Sequence, residues 1–187
     1  MLLRAFASLV RLYEVRRDPV RYARSIGVRI GEGCHIYAAD LGMFGSDPYL
    51  ITIGNNVHIT RGVTFVTHDG GTLILRQEVP DLELTAPIVI GSDVYLGVNA
   101  IIMAGVTIGN RCIVGAGAVV TKSVPDNSVA VGVPARVVKT VNEYFEGAKA
   151  RSLHLGHLKG HEKEVALRKL FCVRGQPERS GGMRTPK

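Results

Sequence analysis

Large aliphatic residues return every six positions through the middle of the chain. Ile90, Leu96, Ile102, Ile108, Val114 and Val120 form one unbroken series. Two positions before each stand Ile88, Val94, Ala100, Val106, Cys112 and Ala118, all apolar and mostly smaller. Directly after four of them come Gly91, Gly97, Gly109 and Gly115. Residues i and i−2 share one face of a strand, and a following glycine lets the chain bend. Strand and bend repeated every six residues predict an all-β solenoid with an aliphatic interior. A sandwich of short strands fits less well, because its spacing is less regular.

The same pattern occurs in shorter blocks. Ile30 and Ile36 follow Val28 and Cys34, while Ile53, Ile59 and Phe65 follow Ile51, Val57 and Val63. Downstream, Val131 and Val137 follow Val129 and Ala135. The steps from 36 to 53, 65 to 90 and 120 to 131 are not multiples of six. Each gap therefore predicts a loop or an irregular turn.

The flanks read as helices. Leu2, Phe6, Leu9, Leu12 and Tyr13 form an apolar stripe among Arg4, Arg11, Arg16 and Arg17. Asp18 and Pro19 have the chemistry of an N-cap and a first helical turn, which predicts a short helix over Pro19–Ser25. Residues 1–25 are thus expected to cap the open end of the solenoid. A membrane-surface helix is the less favoured use of that stripe. The repeats are expected over 26–140, with an extruded loop at 69–87. A helical extension is expected over 141–174, with helices at 141–151 and 162–171, and a disordered tail over 175–187.

Composition narrows the class. At 187 residues, 46% hydrophobic and 21% charged, the chain has the makings of one folded domain. It has no Trp and 22 Gly, so aliphatics must fill the core. Three Cys make no paired framework and fit a reducing, cytoplasmic setting. Cys34 and Cys112 occupy inward repeat positions, which predicts packing roles. Met1–Val10 looks apolar, but Arg4 interrupts it and no cleavage site follows. The uncharged run Val94–Asn110 keeps the six-residue period and reads as core, not as a membrane span.

The net charge of +7 is unevenly placed. Residues 1–29 hold seven Arg against two acids, and residues 139–187 hold eleven basic residues against five acids. Residues 30–138 hold five against nine. An acidic middle lacks the basic track that a nucleic acid needs, so no nucleic-acid partner is expected.

Of six histidines, His68 stands apart. It lies in Phe65-Val-Thr-His-Asp-Gly-Gly71, where the longest interruption begins. A long loop in a tight repeat is usually functional, and imidazole is suited to proton transfer near neutrality. Asp69 is a candidate to orient the ring, although neighbours along a strand point to opposite sides; a backbone carbonyl is the alternative. Lys122 is the single lysine between 30 and 138 and stands at a register break, which suits a phosphate contact. No Ser or Cys is recognisable beside a histidine in the repeats, so no covalent intermediate on such a side chain is expected.

The repeats, the stretch Ile108-Gly-Asn-Arg-Cys-Ile-Val-Gly-Ala-Gly-Ala-Val-Val-Thr-Lys-Ser-Val-Pro125 and the segment Val131-Gly-Val-Pro-Ala-Arg-Val-Val-Lys139 resemble the hexapeptide-repeat acyltransferases. The similarity is to the maltose and galactoside O-acetyltransferase type, including polysaccharide O-acetyltransferases, over about residues 26–140. It implies a left-handed parallel β-helix and a homotrimer with sites between subunits. It implies acetyl-CoA as acyl donor and a hydroxyl of a sugar or surface-polysaccharide precursor as acceptor, with direct transfer between them in a ternary complex and no acyl-enzyme. His68 then matches the catalytic base. Val98 and Ala116 match the path of the pantetheine arm, and Thr121, Lys122, Arg136 and Lys139 match contacts to the nucleotide end. Tyr95 stands where related sugar acetyltransferases often carry Trp, beside acceptor or pantetheine. The same fold houses three-histidine zinc enzymes, but no histidine lies between 69 and 153, so no metal is expected. Two alternatives stay open: an N-acetyltransferase acting on a nucleotide-linked amino sugar, and a non-catalytic scaffold.

Overall fold

The computed structural model describes residues 13–173. The apolar stripe up to Leu12 and the expected tail lie outside them. The chain divides into two compact units, Met1–Phe145 and Glu146–Lys187.

The first unit is built on three sheets. Sheet I pairs β1 (Arg29–Ile30), β3 (Ile51–Ile53), β6 (Ile88–Ile90) and β9 (Thr107–Ile108) in that order. Sheet II runs β2 (His35–Ile36), β4 (His58–Ile59), β7 (Tyr95–Leu96), β10 (Ile113–Val114), β12 (Ser128–Val131) and β13 (Arg136–Thr140). Sheet III joins β5 (Thr64–Phe65), β8 (Ile101–Ile102) and β11 (Val119–Val120). All pairings are parallel except β12 with β13. From β3 to β11 the chain visits I, II and III in rotation, so each circuit stacks on the one before. In the first circuit Met43 stands on the third side without forming a strand, its carbonyl accepting the Phe65 N–H at 2.9 Å.

The six-residue series is the interior. All twelve residues picked out between Ile88 and Val120 are at most 1% exposed. Each Val, Leu or Ile among them contributes roughly 1.5–3 kcal/mol by leaving water. The weaker ends of the pattern behave differently. Cys34 is only half-buried. Val131 and Val137 are 37% and 49% exposed, because β12 pairs with Val114 through Ala130 and then meets the antiparallel β13. The inward phase there is carried by Ser128 and Ala130, both buried, one residue off the extrapolated register.

The glycines after the aliphatics have a different reason than bending. Gly31, Gly54, Gly91 and Gly109 stack at the corner between sheets I and II, and none has positive φ. An added Cβ would lie 2.3 Å from Asn55 Oδ1 at Gly31 and 2.2 Å from Asp126 Oδ1 at Gly109. Close approach of the next circuit therefore excludes a side chain. The left-handed residue comes two positions later, at Gly33, Asn56, Asp93, Arg111 and Asn127. Between them runs a side-chain ladder. Asn55 Oδ1 accepts the Glu32 N–H at 2.8 Å, Ser92 Oγ that of Asn55 at 3.1 Å, Asn110 Oδ1 that of Ser92 at 2.9 Å, and Asp126 Oδ1 that of Asn110 at 2.7 Å. Each circuit thus satisfies a backbone donor of the preceding one.

Helix α1 (Pro19–Ser25) starts as its sequence predicts, with Asp18 accepting the Arg21 N–H at 3.0 Å and Pro19 in the first turn. Its Tyr22 and Ala23 are buried, and Ala23 joins the core cluster at the open end of the first circuit. Helix α2 (Val141–Ala150) begins with a capping box. The Thr140 N–H donates to Glu143 Oε2 at 2.6 Å, and the Glu143 N–H donates to Thr140 Oγ1 at 3.1 Å. That contact holds the Glu143 carboxyl below its ordinary value. Helix α3 (Gly160–Leu170) lies in the second unit, and neither α2 nor α3 contains a buried residue.

Candidate active site

Two interruptions of the repeat meet at the corner between sheets III and I. One is the segment 37–50 of the first circuit, which ends in the 3-10 turn Pro48–Leu50. The other leaves β5 at Thr67 and returns at Ile88. Its neck is pinned by the Ala86 N–H to the Thr67 carbonyl at 2.9 Å and the Asp69 N–H to the Leu84 carbonyl at 2.8 Å, with His68 bridged to Thr85. Beyond the neck, Gly70–Leu75 forms a 3-10 helix, and Arg76 pairs with Glu83. Leu73 and Ile74 of this loop are 62% and 83% exposed.

His68 sits at the neck with its side chain 42% exposed. Its Nδ1 lies 3.2 Å from Asp47 Oδ2. Asp69 does not fill that place: its carboxylate accepts the Gly71 N–H at 2.8 Å and caps the 3-10 helix. The neighbour along the strand faces away, and the partner of the ring comes from the preceding circuit.

Asp47 is held by four donors. Its Oδ2 accepts from Ser46 Oγ at 2.9 Å, Thr67 Oγ1 at 3.3 Å and His68, while Oδ1 accepts from the Tyr49 hydroxyl at 3.0 Å. The Ser46 and Tyr49 hydroxyls hold this carboxyl below its usual range, with smaller help from Thr67 and His68 against the cost of burial. The same contact pushes the Tyr49 phenol up, so it stays a donor. An ionised carboxylate only accepts, which assigns the proton of neutral His68 to Nδ1 and leaves Nε2 as the basic nitrogen. Among the described residues Nε2 has no hydrogen-bond partner.

Ser46 Oγ does stand beside the histidine, 3.4 Å from Nδ1, which the sequence did not reveal. It shares that nitrogen's side with Asp47 and gives its own proton to Asp47. A serine nucleophile needs the other ring nitrogen as its base, so this arrangement does not activate Ser46. Ser46, Asp47 and Tyr49 were all missed from sequence. Their signal was Ser46-Asp47-Pro48, a turn-starting triplet within the gap between the first two blocks.

The remaining candidates fall into three groups. Thr121 and Lys122 are exposed after β11, at the same III–I corner as His68 and two circuits along, roughly 10 Å by strand spacing. Val98 and Ala116 lie at the opposite edge of sheet III, at its corner with sheet II, where the Gly117 N–H donates to the Val98 carbonyl at 2.8 Å. Past the turn at Val98–Asn99, where Asn99 is left-handed, the run Ala100–Met103, roughly 10 Å of chain, separates the two corners. Tyr95 is 42% exposed on the outer face of sheet II, between His58 and Ile113. Arg136 and Lys139 are exposed on β13. A single chain therefore does not bring His68 to Val98 and Ala116.

The sequence pattern described as bacterial transferase hexapeptide, six repeats, matches residues 87–122. Protein CapG of Staphylococcus aureus is 45% identical over 148 residues, spanning 79% of this chain and 86% of that protein. The chain belongs to the hexapeptide-repeat acyltransferases. The acyltransferase is also 36% identical over 140 residues to galactoside O-acetyltransferase of Escherichia coli K12, covering 72% of this chain and 66% of that enzyme. A hexapeptide-repeat acetyltransferase from Vibrio cholerae, solved in complex with acetyl coenzyme A, is 26% identical to it. That likeness covers 74% of this chain and 87% of the other, at a TM-score of 0.45. Among the described residues of the acyltransferase, no group of three or more His, Cys, Asp or Glu is placed to hold a metal ion. No described helix is long and apolar enough to cross a membrane.

Proposed function

We propose that the protein is an O-acetyltransferase that moves the acetyl group of acetyl-CoA to a hydroxyl of a sugar or surface-polysaccharide precursor, in the cytoplasm where that donor is available. The observation that carries this is the Asp47–His68 pair with an unpartnered Nε2 at the neck of an exposed loop, in a chain of this family. Asp47 fixes the ring and its tautomer. Nε2 takes the proton of the acceptor hydroxyl as that oxygen bonds to the thioester carbon. The resulting tetrahedral oxyanion collapses with cleavage of the C–S bond. The imidazolium returns its proton to the departing sulfur, giving free coenzyme A and the acetyl ester.

The residues present fit the donor. Lys122, Arg136 and Lys139 are exposed cations suited to its phosphates. At Ala116 and Gly117 small residues leave the backbone open to a narrow arm. The separation of the two edges of sheet III supports a homotrimer of left-handed β-helices, in which the His68 corner of one subunit faces the Val98–Ala116 corner of the next.

The experiment is acetyl transfer from acetyl-CoA to panels of sugars and amines, followed by thiol release, with light scattering on the same sample. Ester formation on a sugar by a trimer is the expected result. Exclusive transfer to amines overturns O-acetylation, and a fully active monomer overturns the shared site.

A further inference from the structure

We propose that Tyr49 is a positioning residue of this site, locking the Asp47 carboxylate so that it holds the His68 ring in one tautomer and orientation. The inference rests on His68 being the base. Asp47 Oδ2 has three donors, so the loss of one leaves two in place. Oδ1 has a single partner among the described residues, the Tyr49 hydroxyl at 3.0 Å. Without it Oδ1 is unheld, rotation about the Cβ–Cγ bond is resisted at one oxygen instead of two, and the oxygen facing His68 is fixed less tightly.

Tyr49 is built for that task and for little else. Its side chain is not needed for the core, since the residue is 57% exposed. Its backbone is tied down on two sides. The Tyr49 carbonyl accepts from Arg29 Nη1 at 3.2 Å, and its Cβ packs against Gly27, where an added Cβ would lie 3.3 Å away. Pro48 starts the 3-10 turn that carries it, which sets φ between the carboxylate and the phenol. The β2-to-β3 segment of the first circuit thus delivers a carboxylate together with the hydroxyl that aims it.

A double-mutant cycle tests this, with kcat and both KM values measured for each variant on an acceptor that the wild type uses. Tyr49→Phe is expected to lower kcat about tenfold, the size of one lost hydrogen bond to a charged group. Both KM values and the thermal midpoint stay unchanged. Ser46→Ala, which leaves two donors on Oδ2, has the smaller effect. In an Asp47→Asn background, Tyr49→Phe has no further effect, because the group it aims is gone. An unimpaired Tyr49→Phe, or the same tenfold loss persisting beside Asp47→Asn, overturns the proposal. A dead His68→Ala beside a fully active Tyr49→Phe removes Tyr49 alone, whereas His68→Ala at near-full rate removes the base as well.

Discussion

Residues 88–120 and residues 29–87 are built from the same hexad, yet only the second stretch departs from it. In the first, every side takes six residues, every inward position but Cys112 is aliphatic, and the hydrogen bonds run to the neighbouring circuit. In the second, the chain leaves the repeat at 37–50 and again at 69–87, and both departures end at one corner. Asp47 and His68, the one close carboxylate–imidazole pair among the described residues, come from the first departure and from the root of the second. A regular circuit saturates its own polar groups and leaves little with which to do chemistry. Breaking the period frees side chains, while the unbroken circuits supply the rigid wall that keeps them aligned.

Mutations can break this division of labour. The largest effect is expected at His68: His68→Ala should lower kcat by about 10²–10⁴. Its melting temperature should match wild type, since the side chain lies outside the aliphatic interior. Leu96→Ala, in the regular stretch, should do the reverse. It should cost about 2–5 kcal/mol of stability in denaturant titration, with the kinetics of the surviving folded enzyme little changed. Lys122 joins the two regions, because it directly follows the regular stretch at the corner that carries His68. Lys122→Ala should raise the acetyl-CoA KM by a factor set by about 1.5–3 kcal/mol and leave kcat alone. An unchanged donor KM removes Lys122 from the site.

The smallest effects are those of pH. Asp47 is held below the ordinary carboxylate value, so it stays ionised as pH falls to that value, about 3.9. The kcat/KM profile should therefore show no carboxylate limb there. A limb at the ordinary carboxylate value would mean that Asp47 is not held as described. Glu143 is also depressed in the folded chain. The stability it adds is fully present above its unfolded value, about 4.3, and is lost as pH falls through the lower folded value. Glu143→Gln should flatten that dependence for helix α2, read by circular dichroism between about pH 5 and pH 3.

The interior was legible because burial imposes it on every hexad: Ile90, Leu96 and Ile102 repeat as the physics of a narrow core requires. His68 was legible because it marks the point where that repetition stops. Asp47 was not, since it lies 21 residues upstream and reaches the ring only by stacking of one circuit on another. Strand alternation argued against Asp69, and the structure gives that residue a capping role instead. The glycines were recognised with an incomplete cause, because the Asn, Ser and Asp side chains that crowd them belong to the following circuit. Val131 was misplaced by extrapolating the period past the point where β13 turns the chain back.

The ladder of Asn55, Ser92, Asn110 and Asp126 also governs which changes in length the chain can survive. Each rung serves the circuit before it, and three sides of six residues return the chain to the same corner. Duplicating or deleting 18 residues in the regular stretch would add or remove one whole circuit and leave every later residue on its own side. A change of six would keep the hydrophobic period intact and still be ruinous. It would carry Lys122 round to another corner and set small, close-packed glycines against turns that were never shaped to receive them.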